Sequence, residues 1–329
     1  MLIVENKKKI NKKIRRAKTV FIMAHKDLDL DALGSSIGMY VILKHKRKNC
    51  FLVIDDKTHE LGVEKVLKEL DGCVNIIKSK DVSKNMHPIE SKNLLLILDT
   101  AKKDLVQSSD ILKLFTNKMI FDHHGKGKTT IKDAFLIQDD KVSSTCEMIT
   151  NLIEAYDIEI DPYYATILLS GIVLDTNNFT LKTTADTYYA AYYLASLGAS
   201  AKKVQYLLKQ DLLEYTEREK LLTKIEIIDK KIAISKASAS TVYRREDLAK
   251  VADTLLFFND IEASFVIGKI GKTTVGISAR SLGNYDISKI LDKLGGGGDD
   301  YNGAVKFEKK TISKVEELLK KEIKNQEGE

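Results

Sequence analysis

From residue 19 onward the chain alternates short apolar runs with stretches whose apolar positions recur every three or four residues. TVFIMAH (19–25), CFLVID (50–55), CVNIIK (73–78), NLLLILD (93–99) and KMIFDHH (118–124) read as strands. DALGSSIGMYVILKHK (31–46) and LGVEKVLKEL (61–70) carry helical spacing between them. Nearly continuous apolar strands separated by helices predict a mostly parallel sheet, buried under helices on both faces. Ahead of it, MLIVENKKKINKKIRRAK (1–18) reads as a short amphipathic helix with Ile3, Ile10 and Ile14 opposite a Lys/Arg face. After residue 143 the pattern turns helical. SSTCEMITNLIEAY opens on a capping box from Ser144 to Glu147, and YYATILLSGIVLDT and TADTYYAAYYLASLG follow.

From about Glu214 a second pattern begins. It offers a helix (YTEREKLLTKIEII, 215–228), three β-rich stretches (KKIAISKA, IEASFVIGKI, KTTVGISAR) and a helix (DISKILDKL). The glycine run LGGGGDDYNGA (294–304) and a charged helix close the chain. The expected architecture is an α/β fold with a first domain over 1–198, a linker over 199–213 and a smaller α/β domain over 214–329.

Composition narrows the partners. A chain of 329 residues, 43% of them hydrophobic, has the apolar content for two cores. The balance of 53 Lys+Arg against 47 Asp+Glu leaves +6, which fits a solvated Lys-rich surface and calls for no long nucleic acid partner. Cys50, Cys73 and Cys146 are widely spaced, with no CxxC. That argues against a disulfide framework or a zinc ribbon and fits a reducing cytoplasm. No stretch approaches the roughly 20 apolar residues of a membrane span.

The candidate chemistry sits at the ends of apolar runs, where α/β sheets collect their ligands. HKDLDLDALG supplies His25, Asp29 and Asp31; LILDT supplies Asp99; FDHHGKG supplies Asp122, His123 and His124; GIVLDTNNF supplies Asp175. Singly, each Asp reads as a helix cap and each His as a structural residue. Jointly they would leave several buried acids without partners, which is costly. A pair of divalent metals removes that cost, and mixed imidazole and carboxylate ligands suit Mn²⁺, Fe²⁺ or Zn²⁺ better than Mg²⁺ or Ca²⁺. Ser143, Ser144 and Thr145 read as a helix cap that also has the means to hold an anion. The tyrosines of TYYAAYYLAS read as core or as a subunit interface, which admits a homodimer.

FDHHGKG carries the Asp-His-His signature through which the chain resembles the DHH phosphoesterase family. H-x-x-x-D-x-D-x-x-G (His25, Asp29, Asp31, Gly34), LILDT, DHH and GIVLDTNNF stand in the family's order. GISARSLG (276–283) and LGGGGDDYNGA resemble the substrate strand and glycine motif of the DHH-associated domain. Within the family the motifs resemble the GdpP-type cyclic-di-AMP phosphodiesterases more than the short-RNA/pAp-hydrolysing group or the RecJ exonucleases.

The resemblance implies a cleft between the two domains and two Mn²⁺ ions, with Fe²⁺ or another divalent metal as the alternative. His25, Asp29 and Asp99 would hold one ion. Asp31, Asp99, His123 and Asp175 would hold the other, with Asp99 shared. His124 would stand beside them, and Arg280 would stabilise the reacting phosphate. Ser278, Ser281, Gly296, Gly297, Gly298, Asp299 and Asn302 would join Arg280 in binding substrate. The implied reaction is attack of metal-activated hydroxide on cyclic-di-AMP to give linear pApA. The alternatives are hydrolysis of linear adenine dinucleotides, short oligoribonucleotides or pAp, and a nucleotide sensor with weak catalysis. In GdpP proteins these domains follow membrane helices, so the expected location is cytoplasmic, free or as the cytosolic part of an anchored protein. Asp299 departs from the family, which has His there. An ionised aspartate only accepts hydrogen bonds and repels a phosphate, so weakened substrate binding or a shifted substrate choice is expected.

Overall fold

A computed structural model describes residues 2–55, 59–125, 127, 129–298 and 300–327. Contacts divide the chain into two compact units, Met1–Lys209 and Gln210–Glu329.

The first unit is built on β1 (Thr19–Met23), β2 (Asn49–Val53), β3 (Ile76–Ile77), β4 (Asn93–Leu98), β5 (Lys118–Asp122) and β6 (Phe135–Gln138). They pair in parallel throughout, in the order β3-β2-β1-β4-β5-β6. The helices are α1 (Leu2–Glu5), α2 (Lys7–Arg16), α3 (Leu30–His45), α4 (Leu61–Glu69), α5 (Val82–Asn85), α6 (Ser109–Leu114), α7 (Thr145–Ala155), α8 (Pro162–Asp175), α9 (Ala185–Ser196) and α10 (Ala201–Leu207).

β1, β4 and β5 are buried along their whole length because each face of the sheet meets its own core. Side chains alternate between faces. Val20, Ile22, Leu94, Leu96 and Phe121 enter the larger core with α3, α7 and α8. Phe21, Met23, Leu95, Ile97 and Ile120 enter the smaller one with Ile111 and Phe115. Two findings correct the strand pattern: the run at 73–78 pairs only at Ile76 and Ile77, and the short strand β6 was not anticipated. The stretch expected as a linker carries α10, whose Val204 and Leu207 are buried in the larger core.

Connections run outward in opposite directions from β1 and β4, so the sheet has its switch point between these two strands. Loops after such strands diverge and leave a crevice. Close packing of α3 against α7 and α8 shapes its wall. A Cβ at Gly171 would fall 2.5 Å from Cys146 Sγ and 2.9 Å from Asp31 Cα. Only glycine lets α8 lie against the first turn of α3, and that contact brings the end of α8 beside Asp31.

The second unit contains α11 (Leu212–Glu219), β7 (Ile225–Ile228), β8 (Ile232–Lys236), α12 (Arg245–Leu255), β9 (Ala263–Lys269), β10 (Thr274–Ser281), α13 (Ile287–Lys293), β11 (Gly297–Gly298), β12 (Asn302–Glu308) and α14 (Ile312–Glu327). Its sheet runs β11-β12-β10-β9-β8-β7, antiparallel except for β8 with β9. The helix expected over 215–228 stops at Glu219, because Ile225–Ile228 finds a strand partner in β8. Among the described residues, no helix is long and apolar enough to cross a membrane.

Candidate metal centre

The ends of β1, β4 and β5 and the last turn of α8 converge on one cluster of acids and imidazoles. Asp29 caps α3: its Oδ1 accepts from the N–H groups of Asp31 (3.0 Å) and Ala32 (2.9 Å). Capping fixes the carboxylate and leaves Oδ2 at 3.6 Å from His25 Nε2. Asp31, fully buried one residue into α3, accepts from the first turn of α7 through Thr145 N (2.8 Å) and Cys146 N (2.7 Å).

Asp99 follows β4 with φ +62°. An aspartate in that left-handed region is held there by its surroundings. Its N–H extends the ladder to Phe121 O, at 2.8 Å. Its Oδ1 accepts from Thr145 Oγ1 at 2.9 Å, and its Oδ2 lies 3.2 Å from His25 Nε2. His123 leaves β5 with Nε2 at 3.0 Å from Asp175 Oδ2, 3.4 Å from Asp99 Oδ1 and 3.9 Å from Asp31 Oδ2. Asp175 ends α8, and Asn177, Asn178 and Phe179 behind it all have positive φ. Thr176 Oγ1 ties this tight turn by accepting from Phe179 N at 3.0 Å. The DTNNF motif thus reads as a helix stop that presents Asp175.

Three sets of side chains bring one ligand atom each to within 4.8 Å of one another: His25, Asp29 and Asp99; Asp31, His123 and Asp175; and Asp99, His123 and His124. Among the described residues, none of these acids pairs with a Lys or Arg. Burial pushes Asp31 up to about 6, with Asp175 adding to the effect, and pushes Asp175 up to about 7. Asp99 is raised as well, by burial and then by Asp31. Burial opposes ionisation of Asp29 too, but His25 outweighs it and holds the carboxyl at about 2. Burial likewise opposes charge on His25, and Asp29 outweighs it, so His25 titrates well above its usual value.

Crowded buried carboxyls are costly on their own and natural around a cation. His123 makes the stronger case. It is 3% exposed, and although Nε2 lies 3.0 Å from Asp175 Oδ2, neither ring nitrogen makes an aligned hydrogen bond. Burial lowers its pKa, which keeps the ring neutral with a lone pair available to a metal. The donor set, imidazoles with carboxylates, fits a first-row divalent ion.

His124 is half exposed, with Nδ1 2.9 Å from Asp122 Oδ1 and 3.7 Å from Asp99 Oδ1. Burial works against ionising Asp122, but the bond from His124 outweighs it and keeps the carboxyl low. Its Oδ2 accepts from Ala101 N at 2.9 Å, so Asp122 orients its neighbours. Asp27 is exposed and stands apart from these contacts.

Sequence reasoning named Thr145 only as part of a helix cap able to hold an anion, and missed that it touches Asp31 and Asp99 at once. It saw the segment as a cap, and that part is present: Ser144 Oγ accepts from Glu147 N at 3.0 Å. The return half of the capping box is absent. Glu147 instead accepts from Ser143 N (3.1 Å), Ser143 Oγ (2.5 Å) and Thr187 Oγ1 (2.8 Å).

In the second unit, Arg280 donates Nε to Asp253 Oδ1 at 2.6 Å and Nη1 to Ala279 O at 3.0 Å. Asp253 was not singled out from sequence. Ser278 lies on the same strand, and Asn302 lies opposite Arg280 in the β10–β12 ladder. Ser281, the last residue of β10, is buried; its Oγ donates to Tyr285 O (2.8 Å) and accepts from Gly283 N (3.0 Å).

The glycine run first serves the fold. Gly295, at φ +83°, ends α13, with Gly296 N donating to Leu291 O at 2.8 Å. A Cβ on Gly296 would fall 2.5 Å from Ala304 O, so the chain there lies tight against β12. Gly297 and Gly298 pair with Ala304 and Gly303 as β11. A cavity of about 300 Å³ opens beside the run, lined in part by Arg245, Leu248, Ser278, Gly296 and Lys306. Asp299 lies outside the described residues.

Comparison with known proteins matches both units. The model of the DHH family, N-terminal domain, matches residues 19–172, and that of the DHHA1 domain matches residues 229–326. The chain is 36% identical over 317 residues to the cyclic-di-AMP phosphodiesterase GdpP of Geobacillus thermodenitrificans, covering 94% of this chain and 48% of that protein. It is 36% identical over 310 residues to the cyclic-di-AMP phosphodiesterase PdeA of Listeria monocytogenes, covering 93% and 47%. The chain thus spans about half the length of these curated relatives. The crystal structure of an exopolyphosphatase-related protein from Bacteroides fragilis shares the fold, with a TM-score of 0.79 at 18% identity over 98% of this chain and 96% of that one.

Proposed function

Because the chain belongs to the DHH family, we propose that it is a metal-dependent phosphodiesterase that opens cyclic-di-AMP to linear pApA. The observation that carries this reading is the buried, unpartnered His123 amid Asp31, Asp99 and Asp175. His25, Asp29 and Asp99 would hold one ion, and Asp31, His123 and Asp175, with Asp99 beside them, would hold a second. Mn²⁺ is the proposed occupant. When bound, the ions supply positive charge to the phosphodiester and acidify the attacking water.

The protein's own groups do the rest. The cap on Asp29 and the α7 amides on Asp31 hold these carboxylates in place before metal arrives. Asp122 fixes the His124 ring through Nδ1 and would stabilise it as an imidazolium, which would then give its Nε2 proton to the departing sugar oxygen and be left neutral. Asp253 holds Arg280 by Nε and leaves Nη2 for a phosphate oxygen. Ser278 and Asn302 flank it, and the cavity beside them is large enough to take part of a nucleotide.

The test is a panel of cyclic-di-AMP, linear pApA, pAp and a short oligoribonucleotide with the Mn²⁺-loaded chain, comparing initial rates and products. Cleavage of the cyclic compound to pApA, lost in Asp31→Ala, is expected. Preference for the linear substrates would assign the chain to oligonucleotide hydrolysis instead. Tight binding with no turnover would make it a sensor.

A further inference from the structure

The cations of this chain are unevenly compensated. Many are neutralised locally: Lys231 by Glu262, Lys320 by Glu316, Arg244 by Asp247, Lys118 by Asp133. Residues 7–18 differ. They hold eight Lys and Arg, and no Asp or Glu occurs between Glu5 and Asp27. Among the described residues none of the eight pairs with an acid, and neither do Lys44, Lys46, Arg47, Lys48 or Lys92. Burial and the neighbouring Lys7 push Lys46 below its usual range, and burial and Lys18 do the same to Lys48.

Topology gathers these residues at one pole. α2 leads into β1, the end of α3 leads into β2, and Lys92 immediately precedes β4. The strands are all parallel, so the three segments lie where strands begin, whereas His25, Asp99 and His123 lie where strands end. Lys18 N donates to Lys92 O at 2.8 Å, and Lys48 Nζ to Ala17 O at 2.8 Å, which ties the segments together. Between α2 and the start of β4 lies a cavity of about 340 Å³, lined by Lys13, Arg16, Lys92, Asn93 and Asn117 among others, with no acid in its lining.

From this we infer that the strand-entry pole is a docking surface for an anionic lipid bilayer. Charge complementarity is the first reason: a face whose cations on α2, at the end of α3 and at Lys92 lack acid partners, and whose cavity is lined without acids, gains from a negative surface, by roughly fivefold in partitioning per cation. The second reason is form. The cations come from three separate segments spread across one end of a sheet, which suits a plane. The side chains left exposed beside them, Leu2 and Val4, are aliphatic. A single-stranded nucleic acid would call for aromatic platforms, and the nearby ring of Tyr156 is already covered by Lys46 at 3.7 Å and by Lys7 at 5.1 Å. Ile3, Ile10 and Ile14 are packed in the core, so the contact is adsorption through charge and not insertion of α2. The cavity offers Lys13, Arg16 and Lys92 to a lipid phosphate. A bilayer at this pole leaves the opposite pole, with the metal centre, free.

The experiment sediments the full chain with vesicles of phosphatidylcholine alone and of phosphatidylcholine with phosphatidylglycerol. Binding that requires phosphatidylglycerol and is lost at high salt is expected. The variant Lys8→Glu/Lys12→Glu/Arg15→Glu, all exposed positions, should lower partitioning by about a hundredfold or more. The milder Lys8→Gln/Lys12→Gln/Arg15→Gln should fall between, with Mn²⁺ affinity and helical content unchanged in both. Equal charge reversal elsewhere, Lys272→Glu/Lys310→Glu/Lys324→Glu, should have little effect. Absence of phosphatidylglycerol-dependent binding, or equal losses in the two reversed variants, would overturn the inference. Tighter binding to duplex RNA or DNA than to vesicles, removed by the same substitutions, would give the face to nucleic acid instead.

Discussion

Thr145→Val should weaken binding of a divalent metal while leaving the fold nearly intact. Thr145 sits at the first position of α7, fully buried, and makes two contacts of different kinds. Its backbone N–H donates to Asp31 Oδ2 at 2.8 Å, which valine keeps. Its hydroxyl donates to Asp99 Oδ1 at 2.9 Å, which valine loses. Valine has nearly the same shape, so no cavity opens. What disappears is one hydrogen bond to a carboxylate that is 3% exposed. Bonds to charged groups contribute about 1.5–3 kcal/mol, which corresponds to a loss of about ten- to a hundredfold in metal affinity, the usual range for groups that orient a ligand.

The loss should appear mainly when Asp99 is ionised, that is, with metal bound. In the metal-free protein burial already favours the protonated carboxyl, so the melting temperature should move little. Isothermal titration with Mn²⁺ measures the affinity, thermal melting without metal measures the fold, and Thr145→Ser should restore the wild-type value. Wild-type affinity in Thr145→Val would refute the reasoning, as would a loss that serine fails to recover.

Other outcomes follow from the same geometry. Asp31 at about 6 and Asp175 at about 7 must release protons to bind metal, so Mn²⁺ affinity should climb between about pH 5 and 8; a flat titration across that range would contradict it. The sign for stability follows from linkage. Both carboxyls are raised from 3.8, so their contribution is complete below that value and lost as pH rises through 6 and 7. The melting-temperature gap between metal-loaded and metal-free protein should therefore widen from acid to mildly alkaline pH. Gly171→Ala forces a Cβ to within 2.9 Å of Asp31 Cα and should cost about 1–3 kcal/mol, with weaker metal binding, as read by urea melts and titration. Asp253→Asn weakens the hold on Arg280 Nε and, under the proposed activity, should raise KM for the cyclic dinucleotide without altering Mn²⁺ affinity; a change in metal affinity alone would be the wrong result.

The order of elements in the first unit was legible because each depends on neighbours in sequence. β1, β4 and β5 are continuous apolar runs, since both faces of the sheet are covered. The motif residues His25, Asp99 and His123 stand directly beyond them, so placing the strands also placed these side chains at one edge. Boundaries failed where a distant partner decided them. Ile225–Ile228 is a strand only because β8 lies beside it, and α10 is packed helix, not linker, because Val204 and Leu207 reach a core formed by much earlier residues.

By itself, then, the sequence determined which chemical groups stand at strand ends and that their joint burial calls for a cation. Tertiary structure alone decided what holds each group in place. Thr145 reaches Asp99 across 46 residues, Cys146 reaches Asp31 across 115, and Arg280 reaches Asp253 across 27. Such partners leave no periodic trace in the chain, because a hydrogen bond between segments depends on where the backbone has been carried and not on the spacing of the residues that make it.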